Sequence, residues 1–369
     1  MGMISKHQLA MAIVLFQIGS TPLFALGSEA KQDSWIAMIV ASLAGLLLLY
    51  LFLYIQNRAS VLPFMDLLRY AFGRIAGTVC GALFVLYFAY ESMRNVRDFG
   101  EITAVTLLND TPQLVIMLII VLLASYALAM GIETICRVIE ILTPIAVCSY
   151  TALLILILSS KLINVSRVQP ILEHGMTPVL KTAFPDLVSF PFGQMMIFLL
   201  LWPLISDKTG LARISVISYL SVAAFLIVMN MVNLTVLGPT LVGASTLPFL
   251  QTVQLIQVGD ILERLDVFVT LLLFLGLFIK MTLFYWAAVY GLMQLIGSKR
   301  RIHIFYVGSI IFLASFLEPN YTYHVWLGLN VSVKIFPLFQ VVLPCLLLIA
   351  LLLRRPLPPA ASAASPEPD

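Results

Sequence analysis

Charged residues are scarce in this sequence, and long stretches of it contain none. Asp, Glu, Lys and Arg make up only 11% of the 369 residues, whereas 61% are hydrophobic and the mean hydropathy is +1.04. A water-soluble chain of this length cannot cover its surface with so few charges, and apolar runs of about 18 residues or more recur throughout. The composition therefore predicts a polytopic membrane protein whose first partner is the lipid bilayer.

Cysteine is rare as well. The four cysteines lie in apolar segments or near their ends, without the spacing that metal sites require. We interpret them as packing residues rather than as disulfides or metal ligands. They are Cys80, Cys136, Cys148 and Cys345.

Motifs of catalysis and of nucleic-acid binding are missing. The sequence has no Gly-x-Ser-x-Gly, no phosphate loop and no His-Glu-x-x-His, and its four histidines are scattered among separate loops and helix ends. The basic run Lys299-Arg300-Arg301 is explained by the enrichment of positive charge in cytoplasmic loops. We therefore expect no enzymatic activity, no cofactor, no metal and no nucleic-acid partner.

Ten apolar segments can be drawn along the chain, and an even number of crossings places both termini on one side of the membrane. The segments cover about 8–28, 34–56, 79–108, 113–130, 137–159, 185–206, 212–236, 262–296, 302–317 and 331–353. We interpret residues 1–353 as a single polytopic transmembrane domain without a cleavable signal. The proline-rich tail 354–369 cannot bury a core, so we expect it to be disordered and cytoplasmic.

The positions of Lys and Arg predict the orientation. With a cytoplasmic N-terminus, twelve of the 21 residues fall in inner loops and tails, four fall in outer loops, and five lie within or beside the segments. This excess predicts that both termini are cytoplasmic. The inner group is Lys6, Arg58, Arg69, Arg74, Arg137, Lys208, Arg213, Lys299, Arg300, Arg301, Arg354 and Arg355, and the outer group is Lys31, Lys161, Arg167 and Lys181.

Two segments are interrupted. Gly19-Ser20-Thr21-Pro22 breaks the first segment, and the stretch from Ser189 through Phe190, Phe192 and Gly193 to Gln194 breaks the sixth. Lipid offers no partners for free backbone groups, so a spanning helix is broken where protein or a polar cavity satisfies them. Transporters hold small solutes at such breaks, although glycine and proline in other membrane helices merely produce kinks.

The spacing of the two breaks predicts an internal repeat. The breaks lie five segments apart, in the first and the sixth, so these two segments enter the membrane from opposite sides. We predict an all-α integral membrane protein with ten transmembrane helices, a five-plus-five inverted repeat of about 8–159 and 185–353, and discontinuous helices 1 and 6. Half-helix ends at the breaks would attract the charged ends of a solute.

Several motifs then carry a resemblance over nearly the whole chain. They are Ile4-Ser5-Lys6-His7-Gln8 with Gly19-Ser20, Thr111-Pro112, Gly131-Ile132-Glu133-Thr134 with Arg137, Glu140 and Pro144, and Glu263-Arg264-Leu265-Asp266 leading to Lys280. In this order they resemble the membrane B subunit of spore germinant receptors, the spore permease family within the amino acid/polyamine/organocation superfamily. One departure is Gln194, where the family often has an acidic residue, so a neutral hydrogen-bonding role is expected there.

The resemblance implies a receptor subunit in the inner membrane of the bacterial spore. Such a subunit senses a small germinant, such as an amino acid or a sugar, together with A-type and C-type lipoprotein partner subunits. Composition alone suggests a transporter, so a proton-coupled or facilitative amino-acid permease remains an alternative, as does an ion or water conduit that opens after germinant binding.

The third segment carries charges at bilayer depth, which cost several kcal/mol unless they are paired or hydrated. Helical spacing predicts a ladder of charge pairs along this segment. The pairs are Glu91 with Arg94, Arg94 with Asp98, and Arg97 with Glu101.

Glu91 is the deepest of these charges, about 25 Å inward from Leu108 at 1.5 Å per residue. It belongs either to a structural ladder or to a polar cavity between the broken helices, where it would face a ligand ammonium or a proton. Tyr87, one turn away, would line the same face.

Lys280 lies near the middle of the eighth segment, close to Thr282. It either forms a salt bridge to another helix or faces the cavity. In the superfamily that the chain resembles, a sodium ion can lie between helices 1 and 8, and the resemblance implies that the Lys280 ammonium could replace it against the unwound carbonyls of helix 1.

We predict one small-molecule site between helices 1, 3, 6 and 8. The free backbone at the first break would bind the charged ends of a solute, the phenylalanines its apolar part, and Gln194 would supply amide hydrogen bonds. The candidate ligand-binding residues are Gly19, Ser20, Thr21, Tyr87, Glu91, Phe190, Phe192, Gly193, Gln194, Lys280 and Thr282.

Overall fold

The described part of the chain is a bundle of helices. The computed structural model describes residues 4–59, 62–256, 265–297 and 299–354. In these ranges it contains no strand beyond one isolated parallel bridge between Ile4 and Ile205. The Glu263-Arg264 part of the sequence motif and residues 355–369 of the predicted tail lie outside them.

The α-helices differ widely in length and are joined by short 3₁₀ and π turns. In chain order they are α1 (Lys6–Ile18), α2 (Ser34–Arg58), α3 (Phe64–Phe72), α4 (Arg74–Thr106), α5 (Gln113–Met130), α6 (Ile132–Ser159), α7 (Met176–Thr182), α8 (Phe198–Leu201), α9 (Leu211–Leu237), α10 (Pro239–Ala244), α11 (Pro248–Gln254), α12 (Leu265–Ile296), α13 (Arg300–Ala314), α14 (Tyr321–Trp326), α15 (Val333–Pro337) and α16 (Leu343–Leu353).

Eight helical stretches of the described residues are long and apolar enough to cross a membrane. They coincide with eight of the ten predicted segments, which confirms an all-helical, multi-pass membrane protein. The other two segments contain α1, with 13 residues, and α13, with 15. A ten-crossing inverted repeat stays a prediction.

The first interruption is a change of backbone direction at Gly19. A capping box formed by Ser5 and Gln8 starts α1, which ends at Ile18, and Gly19 then has φ 1° and ψ −102°. A 3₁₀ turn, Thr21–Leu23, follows. The Thr21 hydroxyl donates to the Gln17 carbonyl at 2.6 Å, so this side chain satisfies one acceptor that the helix end leaves free.

The sixth predicted segment is broken over a longer stretch. A π turn, Ala183–Leu187, follows α7, and the chain then turns at residues 190–191. A 3₁₀ stretch, Phe192–Ile197, leads into the four-residue α8. This irregular backbone is buried against α1, α2 and the turn Leu338–Val342, as non-helical backbone in a membrane protein must be.

Helices α4 and α12 form the most extensive helix contact. The Ser92 hydroxyl on α4 donates to the Met281 carbonyl of α12 at 3.0 Å. Because α12 also packs on α1, these two long helices place their middles beside the first interruption.

A short helix that the segment pattern did not anticipate, α3, lies between α2 and α4. Its apolar face is buried, and Arg69 reaches the end of α12, where it donates to the carbonyls of Gln294 at 3.2 Å and Leu295 at 2.9 Å. A cation at a helix C-terminus stabilises the free carbonyls, so α3 holds the end of α12.

Candidate functional site

Glu91 on α4 faces the second interruption. Its carboxylate is buried, and Oε2 accepts a hydrogen bond from Gln194 Nε2 at 3.0 Å. Oε1 of Glu91 and Oε1 of Gln194 have no hydrogen-bond partner among the described residues. Gln194 thus has the neutral hydrogen-bonding geometry expected of it, and acceptor atoms of both groups are available to a donor.

Lys280 on α12 lies against the first interruption. A Cβ placed on Gly19 would stand 2.9 Å from Lys280 Cδ, and one placed on Gly276 would stand 2.5 Å from the Gly19 carbonyl oxygen. These glycines let α12 approach the unwound backbone so closely that the Lys280 stem packs directly on it.

The Lys280 ammonium is fully buried among aromatic rings. Nζ lies 4.5 Å from the centroid of the Phe190 ring and 5.5 Å from that of Phe16, distances at which a ring face attracts a cation. No hydrogen-bond acceptor of Nζ is found in the described ranges. No hydrogen bond joins the ammonium to the unwound carbonyls of the first break in the described ranges, and the sodium-like role implied by the resemblance stays a prediction.

The charges of Glu91 and Lys280 interact electrostatically, but the Lys280 ammonium has no hydrogen bond to Glu91 or to any other described residue. Buried charges are retained only where partners compensate for their lost hydration. A zwitterion between them would present a carboxylate to Lys280 and an ammonium to Glu91, and it would satisfy both.

Other buried polar atoms of this region also lack partners. Both amide atoms of Gln17, the Ser189 hydroxyl, Oε1 of Gln340 and Oδ1 of Asn95 have no hydrogen bond to any described residue. Gln17 lies in the last turn of α1, just before the first interruption, and Ser189 belongs to the second. Gln340 lies on the turn that packs on the second interruption. Gln17, Ser189 and Gln340 are polar residues within apolar stretches of the sequence, whereas Asn95 lies among the charged residues of α4.

Tyr87 and Gln340 form one wall of the site. Gln340 Nε2 donates to the Tyr87 hydroxyl at 2.9 Å and to the Ser189 carbonyl at 3.1 Å. The Tyr87 ring stacks on Phe339 with centroids 4.8 Å apart, and its hydroxyl lies beside the Glu91 carboxylate. The prediction that Tyr87 shares the face of Glu91 agrees with this geometry.

Gly193, Ser20 and Thr21 lie on the interruptions themselves. A Cβ on Gly193 would collide with Oε1 of Gln340, so glycine is required for that close approach. Ser20 and Thr21 are buried beside Gly19, and Thr21 caps α1.

Two predicted residues point elsewhere. Phe192 packs on Tyr219 and against Gly45 of α2, with Phe192 and Tyr219 ring centroids 5.9 Å apart. Thr282 bonds the Phe278 carbonyl of its own helix at 2.6 Å and is two residues from Lys280, so it lies on another face of α12. The structure therefore does not bring these two residues to the charged pair.

A second set of buried charges connects α4 with α14 and with Glu318, which precedes it. His324 lies between two carboxylates: its Nε2 is 3.1 Å from Asp98 Oδ1, and its Nδ1 is hydrogen bonded to Glu318. Arg94 donates to the His324 carbonyl at 3.0 Å and lies 3.7 Å from Glu318. Tyr321 donates to Asp98 at 3.1 Å.

The pKa of Glu318 reflects these contacts. Burial alone would raise the pKa of Glu318, but the hydrogen bond and charge of His324, together with the charge of Arg94, hold that pKa below its ordinary value.

These contacts add partners on other elements to the ladder that helical spacing predicted, since Arg94 also interacts electrostatically with Asp98 and Glu91. Arg97 donates to the carbonyl of Ser315, which follows the last residue of α13, at 3.2 Å, and Glu101 accepts from Gln113 at 2.8 Å. The charges of α4 thus find partners on other elements.

The opening sequence motif forms a third set of contacts at the opposite end of the bundle. Lys6 Nζ lies 2.6 Å from Asp207 Oδ2, and backbone hydrogen bonds join Ile4 to Leu204 and Ser206. His7 contacts Glu140 at 3.0 Å. Hydrogen bonds from Lys6 and Thr209 lower the pKa of Asp207 from its ordinary value. The ion pair and the backbone hydrogen bonds therefore join the start of α1 to the chain that follows the second interruption.

No group of three or more His, Cys, Asp or Glu side chains is placed to hold a metal ion in the part of the chain described. The expectation that the protein uses neither metal nor cofactor stays a prediction.

An all-helical membrane bundle with unpartnered charges at two broken segments is typical of membrane proteins that bind small solutes. The chain belongs to the family described as Spore germination protein, which matches residues 3–323. Over 94% of both chains it is 31% identical to Spore germination protein KB of Bacillus subtilis (strain 168). Spore germination proteins YndE and A2 of the same organism are each 24% identical, over 46% and 47% of this chain and 46% and 48% of their own lengths. These findings confirm the family named from the sequence motifs.

Proposed function

We propose that this chain is the B-type membrane subunit of a spore germinant receptor and binds a small germinant, such as an amino acid, between α1, α4, α12 and the second interruption. The proposal is supported by family membership and by similarity to Spore germination protein KB over nearly the whole chain. It includes no enzymatic step, because recognition needs only charge and shape.

One observation carries the proposal. Glu91 and Lys280 are both buried, their charges interact electrostatically, and each has a polar atom without a hydrogen-bond partner among the described residues. A free amino acid has an ammonium and a carboxylate on one carbon. It would bridge the two residues, while Phe190 and the amides of Gln17 and Gln194 surround its side chain.

In this proposal the protein lies in the inner membrane of the spore with both termini cytoplasmic. Ten helices cross the bilayer as an inverted repeat of five plus five, with α1 and α13 as the two short crossings. The repeat is supported by the two interruptions, which occupy corresponding places in the two halves of the chain.

Signalling requires that the germinant bind one arrangement of the helices better than another. The second interruption contacts α1, α2 and Leu338–Val342, so a ligand that joins it to α4 and α12 would change how these elements pack. A-type and C-type partner subunits would respond to that change. This step is supported by the resemblance of the chain to the membrane B subunit of spore germinant receptors.

The proposal predicts that spores carrying Gly19→Val lose their response to amino acids. A side chain at Gly19 would meet Lys280 Cδ at 2.9 Å and the Phe16 carbonyl at 2.8 Å, so the break could not keep its shape. We expect at least a tenfold loss of germination rate, a change of about 1.4 kcal/mol, across a panel of L-amino acids. Gly243→Val is the matched control, because a Cβ there meets only Ser28 Cβ at 3.7 Å.

An immunoblot of spore membranes would establish that both variants are present at the normal level. A normal response of Gly19→Val spores would show that the ligand does not bind at this break.

The second candidate is an amino-acid permease, either proton-coupled or facilitative. Glu91 favours it, because a buried carboxylate with an unpartnered oxygen beside a solute site is suited to carrying a proton. Uptake by this chain without partner subunits is the property that separates a permease from a receptor subunit.

A further inference from the structure

A cavity of about 190 Å³ lies where α5, α6, α12 and α13 meet, at the end of the bundle that the sequence predicts to be cytoplasmic. Its charged lining residues are Glu133 and Arg300. The turn at Gly131 and Ile132 also lines it, and this turn belongs to a sequence motif that the proposed germinant site does not use. Leu204, which follows the second interruption, is a further lining residue.

Two aromatic rings of α12 form one wall of the cavity. Trp286 and Tyr290 are stacked, with ring centroids 4.9 Å apart and ring planes inclined by 14°. Both line the cavity together with Met130 and Met293. Grooves lined by aromatic rings are the surfaces on which proteins bind proline-rich segments, because the flat rings pack against the pyrrolidine rings.

The cavity is bordered by positive charge. Arg300 donates to the carbonyl of Ala129, and a guanidinium has five N–H donors, so it can bind a carboxylate as well. Lys299 and Arg301 are its neighbours in sequence, and both are exposed. Glu133 lies in the first turn of α6, where the helix N–H groups offset its negative charge. The border of the cavity therefore attracts an acidic segment.

The chain that follows α16 starts at the same end of the bundle. The guanidinium of Arg354 lies 5.2 Å from the centroid of the Tyr70 ring on α3. Helix α3 in turn reaches the end of α12, where Arg69 donates to the Leu295 carbonyl at 2.9 Å, two residues beyond Met293 of the cavity. Arg354 and the cavity therefore lie about two helix diameters apart, or roughly 20 Å.

The sequence of the tail matches the cavity in length and chemistry. The tail residues 355–369 lie outside the described structure, and 15 residues extended at 3.1 Å each would span about 45 Å, which exceeds this separation. Residues 365–369 read Ser-Pro-Glu-Pro-Asp. Two prolines suit the aromatic wall, and two carboxylates suit the basic run 299–301.

We propose that segment 365–369 of this chain docks in this cavity. Its prolines pack on the Trp286 and Tyr290 rings, and its carboxylates bind the basic run 299–301. The docked segment joins the inner ends of α6, α12 and α13 to Leu204, whose carbonyl accepts from the Ile4 backbone N–H at 3.1 Å. The tail thereby adds a contact to the end of the bundle where α1 begins.

The test is photo-cross-linking of the full-length chain in liposomes. The photoreactive amino acid p-benzoylphenylalanine is introduced at Ser365, and cross-linked peptides are mapped by mass spectrometry. We expect cross-links within one chain to Met130 and Met293, which line the cavity. The matched control carries the same group at Leu357, which is three residues from Arg354 and reaches only about 10 Å beyond it, so it should not form these cross-links.

Two pairs of tail substitutions test the chemistry of docking. Glu367→Gln/Asp369→Asn should lower the yield of these cross-links about fivefold, the effect of two lost surface charge pairs. Pro366→Ala/Pro368→Ala should also lower it, because the pyrrolidine rings are removed from the aromatic wall. All four positions lie outside the described helices, so a lower yield would not reflect misfolding of the bundle.

One substitution in the bundle completes the test. Arg300→Gln should lower the yield as the acidic pair does, whereas Arg213→Gln, which removes an exposed positive residue that does not line the cavity, should leave it unchanged. Cross-links between two chains, cross-links only to lipid or to other parts of the bundle, or a yield that neither tail pair lowers would each overturn the proposal.

Discussion

The central residues of the molecule are two charges that the structure does not pair. Glu91 and Lys280 lie on neighbouring helices, and each keeps an unpartnered atom within the described region. Such an arrangement adds little to stability, because the cost of removing each charge from water is not recovered through direct contact. Its retention is understandable if a ligand supplies the missing contacts.

The double variant Glu91→Gln/Lys280→Met tests how much the two charges contribute to stability. Both substitutions keep the approximate shape of the side chain and remove its charge, so the double variant should have a Tm equal to or above that of the unmodified protein. Each single variant leaves one buried charge and should melt lower than the double variant. Thermal melts of the four detergent-purified proteins would measure this.

A double variant that melts well below the unmodified protein would mean that the charges hold the helices together. The proposal that one zwitterion bridges the two charges would then lose its main support.

At the residue level, the sequence permitted a partial prediction of the site. Gln194, Glu91 and Lys280 could be singled out because charges and amides at bilayer depth require a reason. Gln17 and Gln340 could not, because a lone amide in an apolar stretch does not reveal which neighbours it will face. Phe192 was placed in the site from its neighbours in sequence, but its side chain packs on Tyr219.

At the scale of elements, the site is enclosed by two sets of contacts. On the predicted outer side, α4 is joined to α14 through His324, Asp98 and Glu318. On the predicted inner side, α1 is joined to the segment around Asp207. The outer set connects α4, which carries Glu91, to α14. The inner set connects α1, which ends at the first interruption, to the segment around Asp207.

The outer contacts predict a specific sensitivity to acid. The folded-state pKa of Glu318 is lowered, so its contribution to stability is complete above the unfolded-state pKa of about 4.3 and is lost as pH falls through the folded-state pKa. Between pH 7 and pH 3 we expect the Tm of the unmodified protein to fall by about 2 °C more than that of Glu318→Gln. Thermal melts of both proteins across this range would test it, and parallel acid profiles would contradict it.

The elements were predictable to different degrees. Long apolar runs gave eight spanning helices, and the glycine and proline residues at Gly19–Pro22 and Pro191–Gly193 marked where regular helix ends. The short helix α3 was missed because nine residues with one apolar face resemble a loop in a search for spanning segments. The partners of Arg94 and Arg97 on other elements, Glu318 and Ser315, were missed because spacing along one helix cannot reveal them.

At the scale of the whole molecule, contacts close both ends of the helix bundle around Glu91 and Lys280. A permease must open these ends in turn, whereas a receptor subunit needs only to change its packing when the solute binds. The central claim is that this chain captures a small zwitterion at Glu91 and Lys280 and requires partner subunits to signal.

The most direct test measures binding and uptake of a labelled panel of L-amino acids on the same liposomes, which contain this purified chain alone. The account predicts saturable binding that Glu91→Gln and Lys280→Met each weaken at least tenfold, about 1.4 kcal/mol, without accumulation inside the liposomes. Saturable accumulation that Glu91→Gln abolishes would contradict the receptor account and establish a proton-coupled permease, and binding unchanged in both variants would contradict the site.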